Sequence, residues 1–135
     1  MKVEGFDGRE HSWPPLGHLV NFNDRRKRSE PHLRCRALLR LLYPTYTFLE
    51  EVPLPGSGKL SADFYLPWRN IVVEVHGEQH YTFNPHFHGT KMDFFAAKQR
   101  DIKKIEWCNA NNIGVVELPH YESDEQWRER IAKGA

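Results

Sequence analysis

The sequence predicts an α/β domain, and three patterns along the chain indicate this class. An apolar stripe with helical spacing follows Ser29, alternating and β-branched runs flank residues 67–70, and a long helical segment covers residues 91–111. A chain of 135 residues is long enough for one well-formed core. The predicted order of elements is helix, three strands, helix, strand and helix.

The first helix is predicted to begin at Ser29. Serine is a favourable N-cap, Glu30 places a negative charge at the positive end of the helix dipole, and Pro31 is tolerated in the first turn. Pro44 ends the helix because it lacks an amide hydrogen. The apolar stripe consists of Leu33, Ala37, Leu38, Leu41 and Leu42.

The remaining elements follow from turn and cap signals. Gly-Ser-Gly marks one turn, residues 67–70 mark a hairpin turn, and the pair Asn111 and Asn112 marks the end of the long helix. The predicted strands cover residues 45–53 and 113–118, with two paired strands within residues 60–81 on either side of the turn, and a last helix covers residues 123–132.

Residues 1–28 have no sustained period and are predicted to form an irregular arm, with residues 29–135 as the folded domain. Phe6, Trp13 and Phe22 favour an arm that docks onto the domain as a strap, although a DNA-contacting arm is the alternative.

Composition and charge are those of an ordinary soluble protein. The chain has 39% hydrophobic and 27% charged residues, a net charge of +1 and a pI near 7.9. It has no apolar run of the ~20 residues needed to span a bilayer, and its two cysteines lack paired spacing. We therefore expect a cytoplasmic protein that does not associate with membranes.

Basic residues crowd into one short region ahead of and within the first helix. Such a cluster can neutralise nucleic-acid phosphates, although a solvated helix face is the plainer interpretation of a charge run. The candidate nucleic-acid-binding residues are Arg25, Arg26, Lys27, Arg28, Arg34 and Arg36.

Two carboxylates lie in the predicted hairpin. Side chains alternate between the faces of a strand, so Glu74 and His76 share one face, while Val73 and Val75 point into a core. The turn at residues 67–70 brings Asp63 alongside Glu74. Because adjacent carboxylates repel unless a cation lies between them, the pair predicts a magnesium-type site, and a turn or salt-bridge role of Asp63 is the structural alternative.

Asp63, ten intervening residues and Glu74-Val75-His76 resemble the core of the PD-(D/E)XK nucleases, with His76 where lysine usually stands. The phrases VVEVHGEQHY and QRDIKKIEWCNANNIGVVELPHY are similar to a branch of this superfamily that includes very-short-patch repair endonucleases and EDxHD homing endonucleases. In that branch, Asp101 and Lys104 match a D-x-x-K helix, and Glu30 matches an acid that begins the first helix. The resemblance covers residues 29–121.

The resemblance implies a restriction-endonuclease-like core, in which helices flank a central mixed sheet of about four strands. It also implies that Mg²⁺ or Mn²⁺ is bound by Asp63, Glu74 and the carbonyl of Val75. The implied activity is hydrolysis of phosphodiester bonds in DNA by a metal-activated water, through nicking or structure-directed cleavage. A bacterial or phage-infected host cell is the implied setting, and a homodimer or recognition partner would add specificity.

Several catalytic roles stay open at this level. Glu30 can hold a water or a second ion, and Gln79 can orient the nucleophile. His76 or His80 can serve as general base, or Lys104 can supply the positive charge of the missing lysine. Alternatives to a DNA endonuclease are an inactive nucleic-acid-binding module of the same fold and an RNA-directed nuclease. A zinc site formed by His76, His80, His86 and His88 is a further alternative to the interpretation that this loop shapes the substrate entrance.

Overall fold

The computed structural model describes residues 1–14, 29–77 and 90–134. Its strands are β1 (Lys2–Glu4), β2 (Glu10–Ser12), β3 (Leu49–Pro53), β4 (Ser61–Leu66), β5 (Ile71–His76) and β6 (Gly114–Pro119). Its helices are α1 (Glu30–Leu42), α2 (Lys91–Ala110) and α3 (Asp124–Lys133).

The central sheet has four strands in the order β3-β4-β5-β6. The pairs β3–β4 and β4–β5 are antiparallel, and β5–β6 is parallel, so the connection that carries α2 crosses from β5 to β6. The predicted α/β class and mixed four-stranded sheet are confirmed. Strand β3 begins at Leu49, four residues later than predicted.

Helix α1 begins where the sequence predicts, because the Ser29 side chain accepts a hydrogen bond from the His32 amide at 3.3 Å. The predicted apolar stripe is partly wrong, since Leu33 and Leu41 are 43% and 74% exposed. The buried face of α1 instead includes His32 and Arg36. Both side chains bond to Glu50 of β3, and these bonds hold their side of the helix against the sheet.

Each face of the central sheet packs against its own group of elements. Val73 and Val75 of β5 lie in a core with residues of α1 and α3, whereas Val72 lies in a second core with Trp107 of α2. The predicted alternation is therefore confirmed, and Glu74 and His76 lie on the α2 side of β5. Among the described residues, no helix is long and apolar enough to cross a bilayer.

The first part of the chain forms a small hairpin, so the prediction of an irregular arm is wrong for residues 2–12. Strands β1 and β2 pair antiparallel, and Trp13 follows them into the second core, where it is 1% exposed. The Trp13 indole lies 5.3 Å from the ring of Trp107 and donates a hydrogen bond to the Pro53 carbonyl at 2.7 Å. Trp13 therefore docks as predicted, whereas Phe6 is half exposed, and Phe22 lies outside the described residues.

Replacing Trp13 with Phe should lower the free energy of unfolding by about 2 kcal/mol. The substitution leaves the Pro53 carbonyl without its donor and removes ring volume from a buried site. Urea denaturation followed by circular dichroism measures the change, and Phe6→Leu on the exposed surface is the control. Equal effects of the two substitutions would mean that the hairpin is not part of the core.

Candidate active site

The two predicted carboxylates lie where β4 and β5 part. Backbone pairing extends to Phe64 and Val73, and the next position in the same register would place Asp63 opposite Glu74. There the Asp63 amide donates to Glu74 Oε2 at 2.7 Å, and the Val75 amide donates to Asp63 Oδ2 at 2.9 Å. Each carboxylate therefore accepts an amide of the opposite strand, which holds the two acids side by side.

The neighbouring ladder is interrupted at the same place. Strands β3 and β4 pair Glu50 with Phe64 and Val52 with Ala62, but this register skips Glu51 and Asp63. Glu51 has a φ of 52°, in the left-handed region that is unfavourable for residues other than glycine. This local break frees the Asp63 amide for its bond to Glu74.

A cavity of about 200 Å³ opens over the two carboxylates. The start of α1, the parting ends of β4 and β5, and the middle of α2 converge on it. The residues that line it are Ser29, His32, Asp63, Glu74, Val75, Gly77 and Lys104.

Lys104 reaches into this cavity from α2, and its Nζ lies 2.9 Å from Glu74 Oε1. Burial lowers the pKa of Lys104, but the charges of Glu74 and Asp63 outweigh that effect and raise it. The ammonium group is therefore held protonated beside the carboxylates. Its place in the cavity, with Glu74 as an ion-pair partner, is not that of an exposed surface lysine.

Glu74 is 4% exposed, and its environment disfavours the ionised form. Burial and then the neighbouring charge of Asp63 raise the pKa of Glu74 to about 8, with Lys104 opposing the shift. One ammonium group thus does not fully compensate two adjacent carboxylates. Additional positive charge in the cavity would stabilise the ionised pair.

The donor set suits a hydrated magnesium or manganese ion. Asp63 Oδ2 and both oxygens of Glu74 already have partners, whereas Asp63 Oδ1 accepts no hydrogen bond from the described residues. Within residues 1–14, 29–77 and 90–134, no three His, Cys, Asp or Glu side chains converge on a common metal position. Mg²⁺ is commonly held by one or two carboxylates and several waters, whereas structural zinc requires four protein ligands.

A histidine that the sequence did not single out also lines the cavity. His32 is 7% exposed, and its ring stacks on Phe64 with 4.6 Å between centroids. Its Nε2 bonds to Glu50 Oε1, and Arg36 donates to both oxygens of Glu50 at 2.6 and 3.1 Å. Burial opposes ionisation of Glu50, but the bonds from His32 and Arg36 lower its pKa. The one sequence signal was a histidine two positions after the predicted helix acid.

Two of the other predicted catalytic residues, Glu30 and His76, are described and do not line the cavity. Glu30 is exposed at the start of α1 and is not part of the cavity lining. His76 is buried, and its Nε2 lies 3.0 Å from Glu117 Oε1 of β6. Burial lowers the pKa of His76, but the bond to Glu117 and nearby acidic charges raise it. Gln79 and His80 lie outside the described residues, as do His86 and His88.

The two described arginines of the basic cluster make contacts within the fold. Arg34 donates to Asp124 at 2.6 Å and lies 3.6 Å above the Trp127 ring. Arg36 is 8% exposed and bonded to Glu50, so the prediction that it contacts phosphate is wrong for this conformation. The remaining members, Arg25, Arg26, Lys27 and Arg28, lie outside the described residues.

Two curated viral proteins are similar to the chain. The chain is 41% identical over 69 residues to Uncharacterized protein 307L of Invertebrate iridescent virus 6. The matched region is 51% of this chain and 35% of that protein. It is 34% identical over 98 residues to Uncharacterized protein 033L of Invertebrate iridescent virus 3. This matched region is 68% of this chain and 50% of that protein.

The chain thus spans about a third and about a half of the lengths of these two curated relatives. No protein-family profile matches the chain. No solved structure is significantly similar to it. Neither relative's name states an activity, so the functional interpretation rests on the geometry of this chain.

Proposed function

We propose that this protein is a metal-dependent endonuclease that hydrolyses phosphodiester bonds in DNA. The observation that carries the proposal is the convergence of Asp63, Glu74 and Lys104 in one small cavity. Two carboxylates and an ammonium group at the parting of two strands match the chemistry that the nuclease resemblance implies. The preference for DNA over RNA comes from that resemblance alone.

In the proposed reaction, the carboxylates bind the metal and Lys104 stabilises negative charge. Asp63 and Glu74 would hold a divalent cation, with the Val75 carbonyl as a third candidate ligand. The cation, when bound, supplies the Lewis acidity that activates a water and offsets phosphate charge. Lys104 places a fixed positive charge at the cavity, where negative charge on the phosphate grows in the transition state.

The alternative of an inactive binding module depended on His76 in place of the usual lysine. Lys104 of α2 lies 2.9 Å from Glu74 and weakens that reason. It supplies a positive charge from the helix instead of from position 76 of the strand.

Cleavage of supercoiled plasmid and of labelled single-stranded DNA and RNA tests the proposal. We expect nicked or linear DNA with Mg²⁺ or Mn²⁺ and none with chelator. Cleavage of RNA but not of matched DNA would assign the RNA-directed alternative. Metal-independent retardation of DNA in a gel without any cleavage would instead identify a binding module.

Replacing Lys104 with Gln should lower the cleavage rate by about 100-fold, because one preorganised positive charge is lost from the transition state. DNA affinity should change little, since one buried ammonium contributes little to the counterions released on binding. Single-turnover cleavage and fluorescence anisotropy measure the two quantities. Lys103→Gln on the exposed side of the same helix is the matched control, and equal rates for the two variants would contradict a role for Lys104.

A further inference from the structure

His32 also lines the cavity, and the proposed function gives it no role. His32 is the third residue after the N-cap Ser29, in the first turn of α1, and it lines the cavity together with Asp63 and Glu74. Stacking on Phe64 and the bond to Glu50 fix its ring in two directions. A ring restrained in this way has little orientation to lose when a substrate binds.

The bond to Glu50 determines which ring nitrogen carries the proton. An ionised carboxylate only accepts hydrogen bonds, so Nε2 of His32 must donate to Glu50. In the neutral ring, Nδ1 is therefore the nitrogen with a free lone pair. His32 Nδ1 accepts no hydrogen bond from the described residues, and it is not one of the fully buried polar atoms among them. Nδ1 thus remains accessible.

Arg36 makes the neutral ring compatible with this pairing. Its guanidinium donates two hydrogen bonds to Glu50 and compensates the carboxylate charge. Glu50 therefore does not require a positively charged His32 as its partner. This arrangement of an imidazole oriented by a buried carboxylate is one that general acid–base catalysis uses in proteins.

We propose that His32 is the general base of the reaction and that Glu50 is its positioning residue. The inference rests on the proposed nuclease function. In the step, Nδ1 of His32 takes a proton from a water as the water oxygen forms a bond to phosphorus. The bond from phosphorus to the leaving oxygen breaks, and that oxygen takes a proton from solvent.

Two alternatives, His32 as a metal ligand and His76 as the general base, agree less well with the geometry. His32, Asp63 and Glu74 do not form a group that can hold a metal together, which argues against His32 as a third ligand. His76 bonds to Glu117 and does not line the cavity, so it is less well placed than His32 to meet a water there.

The tautomer can be tested without any cleavage. Long-range ¹H–¹⁵N correlation spectra of the metal-free protein distinguish a protonated from an unprotonated ring nitrogen, and His32→Gln identifies the His32 signals by their loss. We expect a protonated Nε2 and an unprotonated Nδ1 in the wild type. In Glu50→Gln, the fixed charge that selects this tautomer is gone, and we expect a mixture of tautomers. A protonated Nδ1 in the wild type would overturn the proposal.

The catalytic role is tested by single-turnover cleavage with saturating Mg²⁺. His32→Gln keeps a donor for Glu50 but has no nitrogen that accepts a proton, and we expect a rate about 100-fold lower. His11→Gln in the distant hairpin is the control and should retain the wild-type rate. Added imidazole should restore part of the rate of His32→Ala and none of the rate of Asp63→Ala.

The outcomes separate the two proposals. If the wild type does not cleave at all, the nuclease function fails, while the spectra still report the tautomer of His32. If the wild type cleaves and a folded His32→Gln cleaves equally fast, the nuclease function stands and the general-base role of His32 is wrong. Lack of imidazole rescue in a folded His32→Ala would also count against proton transfer at this position.

Discussion

Replacing Asp63 with Asn or Glu74 with Gln should lower metal-dependent cleavage by about 1,000-fold or more. Each substitution removes a charged ligand from the proposed cation site, and a metal ion contributes several kcal/mol to the stabilisation of the transition state. Plasmid cleavage under saturating Mg²⁺ measures the loss. Glu106→Gln on the exposed side of α2 is the control and should cleave like the wild type. Retained metal-dependent cleavage in both Asp63→Asn and Glu74→Gln would contradict the assigned ligands.

The same Glu74→Gln substitution should change how stability depends on pH in the presence of chelator. The pKa of Glu74 rises from 4.5 to about 8 in the folded protein, so the folded state holds this proton more tightly than the unfolded state. The contribution of Glu74 to wild-type stability should therefore fall as pH increases from about 4.5 to about 8, by an amount on the order of a few kcal/mol. Glutamine does not titrate, so the variant should lose this part of the decline.

Urea denaturation at pH 5 and pH 8 measures this difference. Added Mg²⁺ should raise the stability of the wild type at pH 8 more than that of Glu74→Gln, because a bound ligand stabilises the state that binds it. The same decline with pH in both proteins would show that Glu74 is not the titrating group.

Replacing Glu50 with Ala should lower the free energy of unfolding by about 3–5 kcal/mol, because it leaves the buried Arg36 without its carboxylate. His32 loses its acceptor in the same variant. The expected loss is large because both partners are almost fully buried and cannot regain their bonds from water. Chemical denaturation near neutral pH measures it.

A double variant separates an unpaired charge from a loss of packing. Glu50→Leu together with Arg36→Met replaces both charges with apolar groups of similar length, and it should recover much of the stability that Glu50→Ala loses. A double variant as unstable as Glu50→Ala would show that the ion pair itself, and not the unpaired arginine, determines the effect.

Local signals predicted most of the fold. Ser29, Pro44, the turn at residues 67–70 and the pair Asn111 and Asn112 each act on the backbone beside them, and the structure places element ends close to all four. The hairpin at residues 2–12 was missed because its strands are three residues long and its stability comes from Trp13 in a distant core. The rotation of α1 was missed because it depends on Glu50, in a different element.

The candidate site was predictable where its residues are close in sequence. The adjacency of Asp63 and Glu74 follows from strand alternation and one turn, so it could be derived from the pattern alone. The proposed role of His32 could not be derived in this way, because it depends on how α1 packs against β3. The choice between His76 and Lys104 as the source of positive charge likewise depended on how α2 packs on the sheet.

The position of Lys104 on α2 has a consequence for sequence divergence. In the PD-(D/E)XK motif that the sequence resembles, the second acid and the lysine lie on one strand, so each position constrains the other. Here the strand supplies Glu74 and the helix supplies Lys104, and position 76 is occupied by a histidine that bonds to β6. Position 76 can therefore vary with its neighbour Glu117 without moving the cation. Related proteins would share the spatial arrangement of Asp63, Glu74 and Lys104, and a sequence pattern confined to one strand would not identify them.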